Sequence, residues 1–542
     1  MDPLWYKDAV IYQVHVRTFC DSNGDGIGDF RGLTSRLDYV RRLGVNAIWL
    51  LPFYESPLKD DGYDIAHYER IDARYGTMDD FRCCLAEAHR LGLQVFTELV
   101  INHTSDQHPW FQASRLAPEG SPKRDYYVWS VTPDRYRDAR VIFNDVEPSN
   151  WTWDPIAKAY YWHRFFSHQP DLNFDNPKVR RAVLKVMRFW LDKGVDGLRL
   201  DAVAHLYERE GTSCENLPET HAFLREIRTE MDRRYTHRVL LAEADQAPAV
   251  TCEYFGQGDE CHMAFQFPLM PRLFLALKRE DASPIVSIVR STGEIPPTAQ
   301  WALFLRNHDE LTISALTDDE RRLMFALYAP EPRMRLNLGI RRRLAPLLDN
   351  DPARIMLAFS LLLSLPGSPV IYYGDELAMG DNVGLNDRDG VRTPMQWTAG
   401  LNAGFSETVG PLTQPVIDDA VFGGAEVNVD AQESDQQSML WRLRRLIAAR
   451  AQSQVFGRGT IEFLTVGGGE VLAFLRRYQR ETVLVVANLS LQPRTCEVRL
   501  PTELAGASLR PLVAGGEAGT LTLDGDVVTL APSEFRWLRV SQ

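Results

Sequence analysis

The stretch Met78–Val100, MDDFRCCLAEAHRLGLQVFTELV, carries the pattern that decides the fold of this 542-residue chain. Met78–Arg90 has the apolar spacing of an amphipathic helix, and Val95–Val100 is a nearly continuous apolar run of strand length. A strand without regular polar alternation is buried on both faces, as in a parallel sheet covered by helices. The stretch therefore predicts a helix followed by a parallel strand.

Similar apolar runs recur along the chain and are separated by helical patterns. They are Val10–Val14, Ala47–Leu51, Gly197–Asp201, Val239–Glu243, Trp301–Leu305 and Val370–Tyr373. About eight such units favour a closed (β/α)8 TIM barrel over an open doubly wound sheet. No GxGxxG follows the first strand, which further disfavours a dinucleotide-binding fold.

The repeat is interrupted twice. Residues 102–169 are rich in Trp, Tyr, Pro and Asp without a helical period, and they are too long for an ordinary loop. After residue 450, apolar runs alternate with Gly-rich turns, as in an antiparallel β-sandwich. We predict a catalytic barrel at 1–101 and 170–450, an inserted lid subdomain at 102–169 after strand three, and a C-terminal all-β domain at 451–542.

Composition narrows the class of protein. The balance of 60 Lys+Arg against 73 Asp+Glu, a net charge of −13, disfavours a nucleic-acid partner. Seven scattered Cys without a CxxC pair indicate reduced thiols and a cytoplasmic protein. The first eight residues lack the features of a signal peptide. The apolar run Ile355–Tyr373 is broken by two prolines and a glycine, so it predicts a buried helix, a turn and a strand instead of a membrane span.

Barrel enzymes place the active site at the C-terminal ends of the strands, and charged residues follow these strands here. The residues at these positions are Asp64, Asn102, His103, Arg199, Asp201, Glu243, His308 and Asp309. Each alone could be a helix cap or a core residue. Burying so many charges together costs several kcal/mol unless a polar ligand or mutual pairing offsets it. Their convergence therefore predicts an active site for a polar substrate.

Asp201 and Glu243 on adjacent strands suit retaining glycoside chemistry. That chemistry needs an ionised nucleophile and a protonated acid roughly 5–5.5 Å apart. Arg199 lies two residues before Asp201 on the same strand face, where its charge favours the ionised form of Asp201. Glu243, with aliphatic neighbours, is expected to keep a raised pKa and to donate a proton.

Several segments, in this order and at the spacing of barrel strands, resemble the motifs of the α-amylase superfamily, glycoside hydrolase family 13. They are Asp61–Asp64, Glu98–Ser105, Gly197–Ala202, Glu243 and Arg306–Asp309. Gln169–Asn173, QPDLN, resembles the signature of the oligo-1,6-glucosidase branch. Longer stretches resemble the trehalose synthase branch, over essentially the whole chain: Leu4–Tyr12, Tyr207–Thr212, Cys214–His221 and Gly390–Trp397.

This resemblance implies a retaining double displacement that interconverts the disaccharides maltose and trehalose, with minor hydrolysis to glucose. Asp201 would be the nucleophile, Glu243 the acid and base, and Asp309 the group that holds the ring hydroxyls. The implied substrate-binding residues are Asp64, Tyr63, His103, Gln169, Arg199, His308 and Arg392. No organic cofactor is needed because no redox step occurs, and a homodimer is possible.

Several alternatives stay open. The motifs of the glucose subsite fit an α-glucosidase or oligo-1,6-glucosidase that hydrolyses small α-glucosides equally well. The intact acids Asp201, Glu243 and Asp309 disfavour a catalytically dead binding module. The aromatic residues of the insertion suit a lid that excludes water, or they form the core of a small domain. For the C-terminal domain, a role in stability is favoured over glycan binding by analogy of fold alone.

Two metal sites are predicted. Asp21–Asp29 has acids at positions 1, 5 and 9, Asn at 3 and Gly at 6, like the first part of a calcium loop. Its candidate ligands for structural Ca2+ or Mg2+ are Asp21, Asn23, Asp25, Ile27 (carbonyl) and Asp29; the alternative is a solvated Asx-turn loop. Gly32 at position 12 excludes an EF-hand. The resemblance implies a second structural Ca2+ site made by the side chains of Asn102, Asp171 and Glu208 and the carbonyls of His205 and Leu206.

One departure from the family pattern follows the predicted acid. Relatives usually read Glu-Ala-Asn-Gln where this chain reads Glu243-Ala244-Asp245-Gln246. A second negative charge there is expected to raise the Glu243 pKa or to weaken binding of the leaving sugar. A lesser departure is His205, where relatives often carry Tyr.

Overall fold

Eight parallel strands close into a barrel in this computed structural model, which describes residues 2–504, 506–515 and 527–541. The strands are β1 (Ile11–Val14), β2 (Ala47–Leu50), β3 (Gln94–Val100), β4 (Gly197–Asp201), β5 (Val239–Ala242), β6 (Met263–Phe265), β7 (Gln300–Phe304) and β8 (Ser368–Tyr372). Each pairs with its neighbours in chain order, and β8 closes on β1. The predicted (β/α)8 barrel is confirmed.

Strand β6 was not among the runs recognised in the sequence. It has only three residues, too few for a strand signal from periodicity. Pairing on both sides holds it in place, since Met263 lies opposite Leu241 of β5 and Gln300 of β7. The strand therefore depends on its neighbours more than on its own composition.

Helices surround the barrel, and capping residues mark where they begin and end. The longer ones are Phe30–Leu43, Met78–Arg90, Pro177–Asp192, Pro218–Arg234, Leu269–Arg279, Ser283–Ser291, Asp318–Tyr328, Pro352–Ser364 and Met439–Ala451. A reciprocal capping box between Thr77 and Asp80 starts the helix Met78–Arg90. Gly44, with φ 101°, ends the helix Phe30–Leu43 in the left-handed conformation that favours glycine.

The apolar run at Ile355–Tyr373 folds as the sequence predicted. It forms most of the buried helix Pro352–Ser364, a turn, and the barrel strand β8. In the described part of the chain, no helix combines the length and the apolar character that a membrane span requires.

The insertion carries a helix, Pro109–Leu116, and a three-stranded antiparallel sheet in the order Trp129–Ser130, Ala159–Trp162, Trp151–Asp154. Trp151 and Trp162 pack against each other and against Tyr136 in a small core of its own. Many of the aromatic residues of the insertion are therefore core residues. Phe143 and Phe165 differ, because they line the cavity described below.

The C-terminal domain is antiparallel, as predicted. Its larger sheet has the order Thr460–Phe463, Val471–Tyr478, Glu481–Asn488, Phe535–Ser541, Ser508–Gly515, and a smaller one pairs Arg494–Glu497 with Val527–Leu530. Alternate residues of Val471–Tyr478 face different cores. Leu472 and Phe474 join the core of the barrel, whereas Val471 and Leu475 join a separate core with the smaller sheet.

Arg476 of this domain and Arg450, in the helix that precedes the domain, are both buried against the end of the barrel helix Pro352–Ser364. Arg476 donates to the carbonyl of Ser364 and Arg450 to that of Leu363, at the C-terminal end of a barrel helix. Such carbonyls lack partners within the helix, and a cation there also interacts favourably with the helix dipole. Burial lowers the pKa of Arg476 to about 9 and that of Arg450 to about 10. These contacts support a role of the C-terminal domain in stability.

Candidate active site

A cavity of about 230 Å³ opens at the C-terminal ends of the barrel strands, beneath the insertion. The three predicted catalytic residues, Asp201, Glu243 and Asp309, all line it. Other lining residues with polar or aromatic side chains are Asp60, Tyr63, His103, Arg140, Phe143, Phe165, His205, Asp245, Gln246, Phe267, Asn307, Glu310, Thr312, Ser314, Asn337 and Arg388. The cavity therefore combines apolar and aromatic surface with several polar groups, a lining that suits a small polar ligand such as a sugar.

Arg199 is the central cation of the site and is only 1% exposed. It donates to Asp201 Oδ1 at 2.9 Å and to Glu98 Oε2 at 2.8 Å, and it also donates to Glu243. Glu98 additionally accepts from Trp49 Nε1 at 2.8 Å. Glu98 was not proposed as a site residue, although a charged residue within the apolar strand β3 was a signal for one.

Asp201 and Glu243 share an environment that favours one proton between them. Burial raises the pKa of Asp201 to about 7 and that of Glu243 to about 8, while Arg199 opposes both shifts. Glu243 is near enough to lower the pKa of Asp201 through a hydrogen bond. Ala202, at φ 50°, is in a conformation rare for a residue with a side chain, and its N–H donates to Glu243 Oε2 at 3.1 Å. Glu243 is thus the group more readily protonated.

Asp309 is held by three neighbours. Its Oδ1 accepts from Arg392 Nη2 at 3.1 Å and lies 3.1 Å from Arg388 Nε, and its Oδ2 lies 3.1 Å from His308 Nε2. The same nitrogen of His308 is 2.7 Å from the hydroxyl of Tyr63, whose ring stacks on the imidazole. Burial and the nearby arginines hold the pKa of His308 well below its usual value, so the ring is neutral.

The structure corrects the prediction for Asp64. Its carboxylate is fully buried and accepts from Ser56 Oγ and from the backbone N–H groups of Lys59 and Asp60, so it shapes the loop and does not line the cavity. Asp60, which we did not predict, lines the cavity in its place. Gln169 donates to Asp60 Oδ2 at 2.7 Å and therefore acts through that residue.

His103 occupies the position predicted for a substrate-binding residue. Burial lowers its pKa to about 3, so the imidazole is neutral. Its Nε2 is buried and has no hydrogen-bond partner among the described residues. A buried polar atom without a partner costs free energy, and a sugar hydroxyl in the cavity could satisfy it.

A second group of polar side chains lines the cavity, in addition to the acids that contact Arg199. Asp245 Oδ2 accepts from Ser314 Oγ at 2.9 Å and from Thr312 Oγ1 at 3.1 Å. Glu215 behind the wall accepts from Arg140 Nε at 2.9 Å and from Gln246 Nε2 at 3.0 Å. The side chains of this second group can offer hydrogen bonds to a second sugar ring.

The residues of the second predicted metal site fit a hard cation. Asn102 Oδ1, Asp171 Oδ2 and Glu208 Oε1 are all buried without a hydrogen-bond partner in the described ranges. Burial raises the pKa of both acids well above the usual range, and the Asp171 charge raises that of Glu208 further. Oxygen ligands are those that Ca2+ prefers, and its charge would offset the cost of burying two acids. His205 and Leu206, whose carbonyls were implied as ligands, lie shortly before Glu208 in the chain.

The loop Asp21–Asp29 fits a cation less well in this conformation. Asp21 accepts from three backbone N–H groups of the loop and from Ser406 Oγ, which occupies both carboxylate oxygens. Asp29 accepts from Ser22 and caps the following helix at Gly32 N. Among the described residues, no group of three or more His, Cys, Asp or Glu side chains is arranged to hold a metal ion. The hydrogen bonds are those of the alternative, an Asx-turn loop.

Comparison with known proteins agrees with this geometry. The model of the α-amylase catalytic domain matches residues 13–329 and 341–459, and that of the maltogenic amylase C-terminal domain matches 461–537. The chain is 56% identical to a trehalose synthase/amylase of Mycolicibacterium smegmatis over 526 residues, which covers 93% of this chain and 88% of that protein. A probable α-glucosidase of Rhizobium meliloti is 34% identical, over 91% of each chain.

The trehalulose synthase of Pseudomonas mesoacidophila MX-45, a solved structure, superposes with a TM-score of 0.81 at 29% identity and covers 99% of each chain. The fold, the family models and the sequence identity agree. The chain belongs to the α-amylase family, glycoside hydrolase family 13, and within it to the trehalose synthases.

Proposed function

We propose that this chain interconverts maltose and trehalose by a retaining double displacement. The observation that carries the proposal is the carboxyl pair Asp201 and Glu243, joined by Arg199, in a cavity that a second group of polar side chains also lines. Asp201 attacks the anomeric carbon while Glu243 protonates the glycosidic oxygen, which gives a glucosyl ester on Asp201 and free glucose. Asp309 and His103 bind hydroxyls of the transferred ring.

In the second half of the reaction the freed glucose stays in the cavity, where the second group of polar side chains binds it. It turns so that its anomeric hydroxyl reaches the glucosyl ester, and Glu243, now a carboxylate, removes the proton of that hydroxyl. Attack by this hydroxyl gives trehalose, and attack by the 4-hydroxyl gives maltose again. Attack by water in place of glucose gives hydrolysis. The insertion covers the cavity and therefore controls the fraction of maltose that is hydrolysed to glucose.

Incubation with maltose and separation of the products tests the proposal. We expect trehalose as the main product and glucose as the minor one. The rival function, an α-glucosidase or oligo-1,6-glucosidase, shares the carboxyl pair and would give glucose almost alone. That result would contradict the proposal. Incubation with trehalose is the second test, because an isomerase must also form maltose from it.

Replacing Asp245 by Asn is expected to change the ratio of glucose to trehalose formed from maltose. Asp245 lines the cavity that would hold the freed glucose, and burial raises the pKa of its carboxyl. Asn keeps the acceptor oxygen for Ser314 and Thr312 but removes the charge near Glu243. Quantification of both products at equal conversion checks this, and Asp245→Ala is the comparison that also removes the hydrogen bonds. An unchanged ratio in Asp245→Asn would show that the charge is irrelevant.

We further propose a structural Ca2+ ion at Asn102, Asp171 and Glu208, which would fix the insertion to the end of β3. We expect chelation to lower the melting temperature and added Ca2+ to restore it. At a free Ca2+ concentration of 100 times the dissociation constant, bound Ca2+ should raise the free energy of unfolding by about 2.7 kcal/mol. The double variant Asp171→Asn, Glu208→Gln should no longer respond. If that variant still responds to the ion, the ion binds elsewhere in the protein. If replacing Asp25 abolishes this response, the expected site of the Ca2+ or Mg2+ ion is the loop Asp21–Asp29.

The remaining expectations from the sequence stay predictions. They are a cytoplasmic location, a possible homodimer, and the absence of nucleic-acid and membrane partners. Sedimentation of the purified protein would decide the oligomeric state.

A further inference from the structure

Arg388 lies in the cavity wall, in the segment after β8, with only 7% of its side chain exposed. Its Nε is 3.1 Å from Asp309 Oδ1 and 2.8 Å from Glu310 Oε2. Its Nη1 donates to Asp387 Oδ1 at 3.0 Å. One guanidinium group therefore fixes the carboxylates of Asp309 and of the residue next to it in the chain.

The open face of this guanidinium group is covered by the insertion. The ring of Phe143 lies 5.1 Å from the guanidinium carbon, in the arrangement of a cation–π contact. Phe143 is held from behind by Phe165 and Phe166, at 5.5 and 4.7 Å between ring centroids. A ring in this position keeps water from Arg388, which strengthens the attraction between Arg388 and Asp309.

A second contact joins the same part of the insertion to the same acids. Asp145 Oδ2 accepts from the backbone N–H of Asn337 at 2.8 Å. Asn337 Nδ2 in turn donates to Glu310 Oε1 at 3.1 Å. Residues 143–145 thus reach the pair of acids Asp309 and Glu310 by two routes, through Arg388 and through Asn337.

We propose that Arg388 is a positioning residue that makes the orientation of Asp309 depend on the insertion lying over the cavity. With Phe143 in contact, Arg388 is dehydrated and holds Asp309 in place for the ring hydroxyls. When residues 143–145 move away, water reaches Arg388 and Asp309 is less firmly held. Glucosyl transfer then proceeds well only in the closed cavity, which limits capture of the glucosyl ester by water. The inference rests on the proposed function in taking Asp309 as a catalytic group.

A double-mutant cycle tests this coupling with 4-nitrophenyl α-D-glucoside, whose cleavage needs Asp309 whichever acceptor follows. We expect Phe143→Leu to lower kcat/KM by about 3- to 30-fold, the range of a partly to fully desolvated cation–π contact. In the Arg388→Lys background, the same change should cost less than about 2-fold, because the contact is already impaired. Phe143→Tyr, which keeps the ring face, should restore most of the activity. The loss should appear in kcat as well as in kcat/KM, since Asp309 acts in the transition state.

Phe463→Leu is the matched control, because its ring lies 5.7 Å from the guanidinium carbon of Arg290 in a similar cation–π contact, and neither residue lines the cavity. Its effect should be the same with Arg388 or Lys at position 388. Equal effects of Phe143→Leu in both backgrounds would overturn the proposal, as would an unaltered kcat in Phe143→Leu. Thermal melting verifies that each variant folds, and Arg388→Gln replaces Arg388→Lys if the latter does not. Failure of the proposed function would instead show as the absence of trehalose from wild-type protein given maltose.

Discussion

Asp201→Asn is expected to lower kcat on maltose by about 10⁴-fold or more, while the protein stays folded. Asn has nearly the same shape and still accepts a hydrogen bond from Arg199, but its amide cannot form the glucosyl ester. The measurement is steady-state turnover of maltose, with melting temperature as the check on folding. Asp106→Asn, on a side chain that pairs with Lys59 outside the cavity, is the control and should remain near wild-type activity.

A 5-fluoro-α-glucosyl fluoride provides a direct second measurement. Such a reagent forms the glucosyl ester and releases it slowly, so mass spectrometry of the digested wild-type protein should locate the sugar on the peptide that contains Asp201. Asp201→Asn should remain unlabelled. Retention of more than a hundredth of wild-type turnover by Asp201→Asn, or a label on another peptide, would contradict the assignment of the nucleophile.

Glu243→Ala is expected to have the second largest effect, and one that depends on the leaving group. General acid–base catalysis contributes about 10²- to 10⁴-fold, so maltose turnover should fall by that amount. An aryl glucoside with an acidic phenol needs little protonation, so formation of the glucosyl ester should be much less affected. Azide, an anion that needs no base, should attack the glucosyl ester. It should therefore restore turnover of the aryl glucoside by Glu243→Ala and give α-glucosyl azide. An equal loss on both substrates, or no response to azide, would contradict the role of Glu243.

The pH profile of the wild-type protein belongs to the same prediction. Because both pKa values are raised, Asp201 becomes protonated as the pH falls through about 7, and Glu243 loses its proton as the pH rises through about 8. We therefore expect a narrow bell in kcat/KM, whose two limbs belong to the pair together. The alkaline limb should be lost in Glu243→Ala. Activity that keeps rising above pH 9 in the wild type would contradict a protonated Glu243.

Residues with a strong local signal can be placed in the fold from the sequence. Asp201 ends a strand whose whole apolar run is visible, so its place at the mouth of the barrel follows from the fold class. Asp60 and Asp64 lie in one short polar segment, and only the hydrogen bonds of the loop decide which carboxylate faces the cavity. The contacts of Arg388 likewise could not be predicted from the sequence. Arg388 lies in the segment after β8, and its distance along the chain from the insertion does not indicate that the two are in contact.

By itself the sequence determined the barrel, the order of its domains and the carboxyl pair, since strand and helix periods and strand-end positions are local properties. The tertiary structure alone decided three things: the short strand β6, the replacement of Asp64 by Asp60, and the contacts of Arg388 with Asp309 and Phe143. Each depends on groups brought together from distant parts of the chain, where burial and hydrogen bonding select among arrangements that the local sequence allows equally.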